Sequence, residues 1–467
     1  MLSRPNIIFI LSDDQGPWAA GCYGNPEIRT PNIDRIAETG IRFDNFFCAS
    51  PVCSPSRASF LTGQMPSTHG VHDWIREGNY GDRVATYLDG QTGYTNLLAD
   101  AGWTCGISGK WHLGNSALPQ NGFSHWFVHE KGGGPYNDAP MIRNGEVFDA
   151  PGYVTNVITD DAIGFVDQHA NDDNPFYLSV HYTAPHSPWT GHPQDIVDSY
   201  DDCAFASCPQ EDKHPWAGAL TKCLGDREML KGYFAAVTAM DIDIGRILDR
   251  LEELGLREDT LVVFTSDNGF SCGHHGYWGK GNGTWPLNMY ENSIKIPFVM
   301  SHPARISPNR VSDGMVSAID FMPTLLDYVG LEQPETIALP GQSFASVLDG
   351  ANQATRDSVV IYDEYGGTRM IRTTDWKYVH RYPNGPQGPH GPHELYDLDG
   401  DPGERQNLAV EPSEAGRIRD MLGNMKNWFA GHSSKEKNGQ DLSVTGGGQL
   451  RPIGGRWEDG TAAFIDH

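Results

Sequence analysis

The chain has 467 residues, 34 Lys and Arg against 60 Asp and Glu, and a formal net charge of −26. At about 150 residues per domain it has room for about three domains, or for one large domain with an appendage, and 12 Trp, 18 Tyr and 19 Phe exclude a solvated coil. So acidic a chain is excluded as a general binder of nucleic acid or of an anionic membrane, and its summed charge also disfavours an anionic substrate.

Taken in chain order, residues 6–11 form an apolar run bounded by Pro5 and the polar Ser12-Asp13-Asp14, the pattern of a buried strand. Helical patterns follow at 31–39 and 94–101, a short strand at 104–108, a helix at 154–169 and a strand at 175–182. Residues 227–254 carry Leu230, Phe234, Val237, Ile244, Ile247, Leu248 and Leu251 at helical spacing, and strands follow at 260–265 and 296–300. Strands alternating with helices predict an α/β fold: a large mixed, mostly parallel sheet sandwiched by helices. After about residue 350 the pattern changes to close-spaced strands at 359–362, 369–372, 377–380 and 393–398, then a helix at 414–429 and a Gly-rich tail from Gly446 through Gly455. We therefore divide the chain into a catalytic α/β domain, 1–350, and a smaller antiparallel α+β subdomain, 351–467, with no clear linker between them.

No apolar run approaches the roughly 20 residues of a membrane-spanning helix. Met1–Pro5 leads straight into a strand-like run without the features of a signal peptide, so a cytoplasmic location is expected, or a periplasmic or secreted one if a signal was removed. Eight cysteines do not make a disulfide scaffold. Cys203, Cys208 and Cys223 cluster in one polar segment, but without a CxxC pair, and are expected to be reduced loop thiols, or one local disulfide if the protein is exported, rather than a zinc site.

Two of the strands end in paired oxygen donors: Asp13-Asp14 after 6–11, and Asp267-Asn268 after 260–265. In open α/β sheets ligands bind beyond the carboxyl ends of the strands, and an all-oxygen set suits Ca²⁺ or Mg²⁺. Either pair alone reads equally as a helix cap or turn; the two together make the case for a metal. Between them stands Cys53-Ser54-Pro55-Ser56-Arg57, in which Pro55 suits a first helical turn and Cys53 reads, on its own, as a thiol nucleophile at a helix start.

That string resembles the C-x-P-x-R signature of the formylglycine-dependent (type I) sulfatases of the alkaline-phosphatase-like superfamily. Further segments resemble the family in the same order. Gly102–Gly114 contains Lys110 and His112, which an extended backbone would point to one side. Ala184-Pro185-His186-Ser187-Pro188, Ser266-Asp267-Asn268-Gly269, Trp278-Gly279-Lys280-Gly281 and Leu395-Tyr396-Asp397-Leu398 follow. The resemblance covers residues 5–410 and leaves the tail outside it.

The resemblance implies that Cys53 is oxidised to formylglycine by a formylglycine-generating enzyme, and that its hydrate attacks sulfur. Metal ligands would be Asp13, Asp14, Asp267, Asn268 and residue 53. Arg57 would hold the hydrate, and Lys110 and Lys280 would neutralise the sulfate oxygens. His112 would be the base for collapse of the enzyme-sulfate hemiacetal, and His186, with Lys280, would serve the leaving oxygen. His69, His72, His181, His274 and His275 carry less support, and Trp111 and Trp278 read as pocket wall.

The expected substrate is a small sulfated mono- or oligosaccharide. His72, Trp74, Glu364, Arg369 and Arg372 are candidate rim residues, though 369–381 reads equally as the solvated face of a small sheet. Two alternatives remain: a phosphomonoesterase or phosphonate monoester hydrolase of the same superfamily, and a non-catalytic glycan-binding protein. The complete set of motif residues weighs against the second.

Overall fold

The structure is a computed structural model describing residues 4–351, 356–362, 367–382, 391–442, 444, 446–453 and 462–464. Twelve strands precede residue 350: β1 (Asn6–Ser12), β2 (Ile41–Phe47), β3 (Thr104–Gly109), β4 (His125–His129), β5 (Asn137–Arg143), β6 (Glu146–Tyr153), β7 (Phe176–His181), β8 (Thr260–Ser266), the two-residue β9 (Ser271–Cys272) and β10 (Trp278–Gly279), β11 (Phe298–Ser301) and β12 (Arg310–Ser317). All but β9 and β10 join one sheet in the order β12-β2-β11-β8-β1-β7-β3-β4-β5-β6. The central run from β8 through β1, β7 and β3 to β4 is parallel, while the wings bring in antiparallel pairs.

Central parallel strands are covered on both faces, and so read as unbroken apolar runs. β1 shows how. Ile7, Phe9 and Leu11 face one core, with Phe60 and Leu61 of the Cys53–Thr62 helix and Phe321 and Leu325 of the Phe321–Val329 helix. Ile8 and Ile10 face the other, with Ile33, Ile158 and Ile244 from the helices Pro31–Glu38, Val154–His169 and Arg227–Glu253. The helices that the sequence predicts are all present. In the main sheet the strands missed there are β2, β4, β5, β6 and β12, and the two-residue β9 and β10 were missed as well. β5, β6 and β12 have exposed positions and two of their pairings shift register, so their apolar periodicity is diluted.

Beyond residue 350, β13 (Ser358–Tyr362), β14 (Thr368–Thr373), β15 (Trp376–Arg381) and β16 (Glu394–Asp397) form an antiparallel sheet in sequence order. The Ala415–Gly431 helix packs Met421, Met425 and Phe429 against Val360, Ile371, Tyr378 and Leu395. The same cluster takes in Ala49, Met65 and Ile319 from before residue 350. Buried ion pairs also cross that point: Arg356 with Asp320, and Lys377 with Glu291.

Register positions the site. Leu11 pairs with Thr265 and Ser12 with Ser266, so Asp13 and Asp267 leave adjacent strand ends. Gly109 pairs with His181, bringing the chain that continues to Lys110 beside the chain that continues to His186. Gly109 has a φ of +111°, and a Cβ there would stand 1.9 Å from the His181 carbonyl oxygen, so only glycine permits this close pairing.

Candidate active site

Cys53 opens a helix, Cys53–Thr62, whose ten residues are all buried. The helix N-terminus faces the ends of β1 and β8. Its Ser56 hydroxyl donates to the Asp267 carbonyl, and the Arg57 guanidinium reaches Asp267 Oδ2 at 3.0 and 2.9 Å, Asp13 Oδ2 at 3.7 Å and the Lys110 carbonyl at 2.9 Å. The Cys53 thiol lies 3.2 Å from Asp13 Oδ1 and 2.8 Å from Lys280 Nζ. Burial, together with Asp13, pushes the thiol pKa up, which disfavours a thiolate.

The three carboxylates are buried and each meets a cation: Asp13 pairs with Lys110, Asp267 with Arg57, and Asp14 with Lys280 at 2.5 Å. Burial alone would raise the Asp13 pKa, but Lys110, His186, Arg57 and Lys280 hold it well below the carboxylate range. Asp267 is pushed up to about 7 by burial and by the charge of Asp13. Asp14 adopts a φ of +71°, and Asn268 Nδ2 donates to it at 2.7 Å.

The donor set suits a hard cation. One ligand atom each from Asp13, Asp14, Cys53 and Asp267 lies within 4.8 Å of the others. Asn268 Oδ1 is buried with no hydrogen-bond partner, an arrangement that is costly unless something else satisfies the oxygen. Crowded buried carboxylates plus an orphaned amide oxygen are what Ca²⁺ or Mg²⁺ would resolve. Among the described residues, Cys203, Cys208 and Cys223 form no such group; all eight cysteines are free, and Cys208 lies beside Cys272.

Above this floor lies a cavity of about 400 Å³, lined by Cys53, Lys110, His112, His186 and Lys280 together with Trp74, Ile75, Arg76, Asn79, Lys131 and Asn282. Lys110 and His112 both reach it, but not by strand alternation. β3 ends at Gly109, and His112 has a φ of +56°, so a loop turns its ring inward. His112 Nε2 is 3.0 Å from the Ile75 carbonyl, which can only accept; Nε2 therefore carries the hydrogen and Nδ1, buried and without a hydrogen-bond partner, has the free lone pair. Burial and Lys110 hold the His112 pKa well below its ordinary value. His186 Nδ1 donates to the Ser187 carbonyl at 2.8 Å, and Nε2 lies 3.9 Å from Asp14 Oδ2. Burial lowers the His186 pKa, with Asp13 and Asp14 opposing.

The chain matches the family model "Sulfatase" over residues 5–331 and "N-sulphoglucosamine sulphohydrolase, C-terminal" over residues 273–429. The chain belongs to the sulfatase family. Its activity is that of a sulfuric ester hydrolase. It is 29% identical to an N-acetylglucosamine-6-O-sulfatase of Bacteroides thetaiotaomicron, covering 90% of this chain and 85% of that protein. It is 30% identical to an uncharacterized sulfatase of Escherichia coli, covering 87% and 83%. A solved complex of a protein with its substrate D-glucosamine-2-N,6-O-disulfate superposes with a TM-score of 0.79 at 27% identity, covering 93% of this chain and 99% of that one. A phosphonate monoester hydrolase of Agrobacterium radiobacter shares the fold, with a TM-score of 0.69 at 21% identity over 92% and 96% of the two chains.

Of the rim residues proposed from sequence for this sulfatase, Trp74 lines the cavity and others do not. His72 is buried, its backbone N–H donating to Gln449 Oε1 at 2.9 Å. Arg372 turns inward to Glu291 and over Phe47. Arg369, three residues earlier on β14 and so on the opposite face, lines a separate cleft of about 650 Å³ with His380, Lys426 and Lys435. Glu364 lies outside the described residues. His69, His181, His274 and His275 bond or stack inside the fold away from the cavity, and Trp111 and Trp278 belong to the core rather than the wall. Ile75, Arg76, Asn79, Lys131 and Asn282 were not read from the sequence. For Lys131 one signal existed, the Gly132-Gly133-Gly134 run behind it; for the others there was none.

Proposed function

We propose that this sulfatase hydrolyses a sulfate monoester of a small carbohydrate, through formylglycine at position 53 and a divalent cation, Ca²⁺ or Mg²⁺, held by Asp13, Asp14, Asp267 and Asn268. The carrying observation is the convergence of Cys53, three buried carboxylates and three cations beneath a cavity that also presents His112 and His186. The carbohydrate class is supported by the relatives named above.

Oxidised by a formylglycine-generating enzyme and hydrated, position 53 supplies a geminal diol, one hydroxyl as nucleophile and the other as the handle for expelling sulfate. A cation held by Asp13, Asp14, Asp267 and Asn268 would supply Lewis acidity to the oxygens of residue 53 and of the sulfate. Arg57, locked by Asp267, sits where it orients residue 53. Lys110 and Lys280 present ammonium groups to the sulfate oxygens without reorganising, which is where preorganised charge acts most strongly. His112 accepts a proton at Nδ1, its other nitrogen being held by Ile75. His186 Nε2 and Lys280 are assigned to the leaving oxygen; Asp14 keeps Lys280 charged despite burial, so it acts there by charge and hydrogen bonding, and His186 is the group suited to deliver a proton.

The shared fold with a phosphonate monoester hydrolase makes phosphoryl transfer the second reading. The test measures conversion and rate together. Peptide mass spectrometry of the Cys53 segment should show a loss of about 18 Da on conversion to the aldehyde. The converted protein should hydrolyse an aryl sulfate faster than the matching aryl phosphate, and Cys53→Ala and Cys53→Ser should abolish both rates with an unchanged circular dichroism spectrum. A phosphate preference of several orders of magnitude would replace the sulfate reading, and activity surviving both substitutions would remove position 53 as nucleophile.

A further inference from the structure

The cavity holds two cations that the buried carboxylates do not consume. Arg57, Lys110 and Lys280 are paired with Asp267, Asp13 and Asp14. Arg76 and Lys131 line the same cavity with exposed side chains, and none of the described lining residues is acidic. In a chain with 60 acidic residues against 34 basic ones, an acid-free rim with two additional cations is a local reversal of charge.

Both cations are anchored next to the two histidines of the cavity. Arg76 follows Ile75, whose carbonyl takes the His112 Nε2 hydrogen. Lys131 precedes Gly132 and Gly133, which press against the two histidines: a Cβ on Gly132 would meet the His112 ring at 2.2 Å, and one on Gly133 would meet His186 at 3.5 Å. Arg76 Nη1 donates to the Gly447 carbonyl at 3.2 Å, and its guanidinium lies 5.9 Å from the Trp74 ring, whose Nε1 donates to the Gly446 carbonyl at 3.2 Å. Lys131 lies 3.6 Å from Glu130, a loose pair at an exposed position, and Glu130 is not part of the lining. The rim thus carries a half-buried indole with Arg76 beside it, and Lys131 on the same cavity.

We propose that Arg76 and Lys131 read a second negative charge on the substrate, so that the preferred ligand is a sugar carrying a sulfate or a carboxylate besides the sulfate ester that is cleaved. This rests on the sulfatase reading above. Two like charges on one rim repel each other in the free enzyme, and an anion placed between them relieves that repulsion while making charge-assisted hydrogen bonds. Trp74 offers the sugar an apolar face beside them.

The test uses the converted, metal-loaded enzyme and reads binding, so that it does not depend on which ester is cut. Hydrolysis of p-nitrophenyl sulfate is measured in competition with N-acetylglucosamine 6-sulfate, with glucosamine 2-N,6-O-disulfate, and with a 6-sulfated disaccharide bearing a uronate. The wild type should bind at least one of the doubly charged sugars tenfold or more tighter than the monosulfate. Arg76→Gln with Lys131→Gln should remove most of that advantage, raising the inhibition constant of the doubly charged sugar tenfold more than that of the monosulfate. The two doubly charged arms separate a second sulfate from a carboxylate. Equal inhibition constants in the wild type, or equal weakening of all three ligands in the variant, would overturn the proposal. A converted enzyme with no rate on the aryl sulfate would instead bring down the sulfatase reading, and this one with it.

Discussion

His112 owes its chemistry to the company of one backbone carbonyl. Ile75 takes the hydrogen of Nε2, which leaves the buried, unpartnered Nδ1 with the lone pair, and burial beside Lys110 favours the neutral ring. A folded-state pKa below the ordinary histidine value means that the base is lost only when the pH falls beneath that depressed value. The acidic side of the kcat profile should therefore stay level through pH 6.5. His112→Ala should lower kcat by about 10²–10⁴, the usual worth of a positioned base. Steady-state rates from pH 4.5 to 8.5 decide it: a limb centred near 6.5 in the wild type and missing in the variant would show a protonatable, solvent-like His112 instead. The residue types at Asp13, Asp14, Cys53, Arg57 and Lys280 were legible because short covalent spacings carry them. The tautomer of His112 was not, because Ile75 is 37 positions away and carries no sign of its role.

At the scale of elements, the Gly-rich tail behaves as a strap. Gln449 is fully buried and ties down the loop that carries Trp74, Ile75 and Arg76. Its Oε1 accepts the His72 N–H at 2.9 Å, its Nε2 donates to the Gly70 carbonyl at 3.0 Å, its backbone N–H donates to the Trp74 carbonyl at 2.8 Å, and its carbonyl accepts the Arg76 N–H at 3.0 Å. Gln449→Ala leaves buried backbone groups unsatisfied, at a cost of about 1–3 kcal/mol. It should lower Tm and also raise KM for a sulfated sugar, because the loop then carries Trp74 and Arg76 loosely; thermal melts and steady-state kinetics test the two parts separately. A lower Tm with unchanged KM would confine the strap to stability. A second junction is Asp241 on the long helix Arg227–Glu253. It accepts the backbone N–H groups of Asn32 and Ile33 at the start of the Pro31–Glu38 helix, and burial pushes its pKa up to about 7. A carboxyl whose folded pKa is raised binds its proton more tightly in the folded state, so stability contributed by that proton falls as pH rises from about 4 to about 7. Asp241→Asn should flatten that part of the stability–pH curve in urea melts at pH 4.5 and 7.5; an unchanged slope would show that Asp241 does not set it.

Over the whole molecule, the net charge of −26 and the cation-rich cavity act at different ranges. Within the cavity, short distances and partial desolvation let individual cations dominate. Beyond a Debye length of about 10 Å at 0.1 M salt, only the acidic sum is felt. Long, heavily sulfated polymers should therefore approach slowly at low ionic strength, and their kcat/KM should rise with added salt relative to that of short oligosaccharides. A faster rate on long polymers than on short ones at low salt would contradict this. Charge summed over the chain was a poor guide to the substrate, because it averages over the few positions that face it.

The sequence by itself determined the parallel strands β1, β3, β7 and β8, five of the helices and the motif residues. Continuous apolar runs and fixed short spacings are local properties, and burial on both faces leaves them little freedom. Only the tertiary structure decided that Arg76 and Lys131 share a rim, that Arg372 points inward while Arg369 faces another cleft, and that the tail returns to hold the Trp74 loop. Those outcomes depend on which distant backbones meet. A hydrogen bond between residues separated by hundreds of positions is set by packing of the intervening chain, and leaves no period or spacing in the residues it joins.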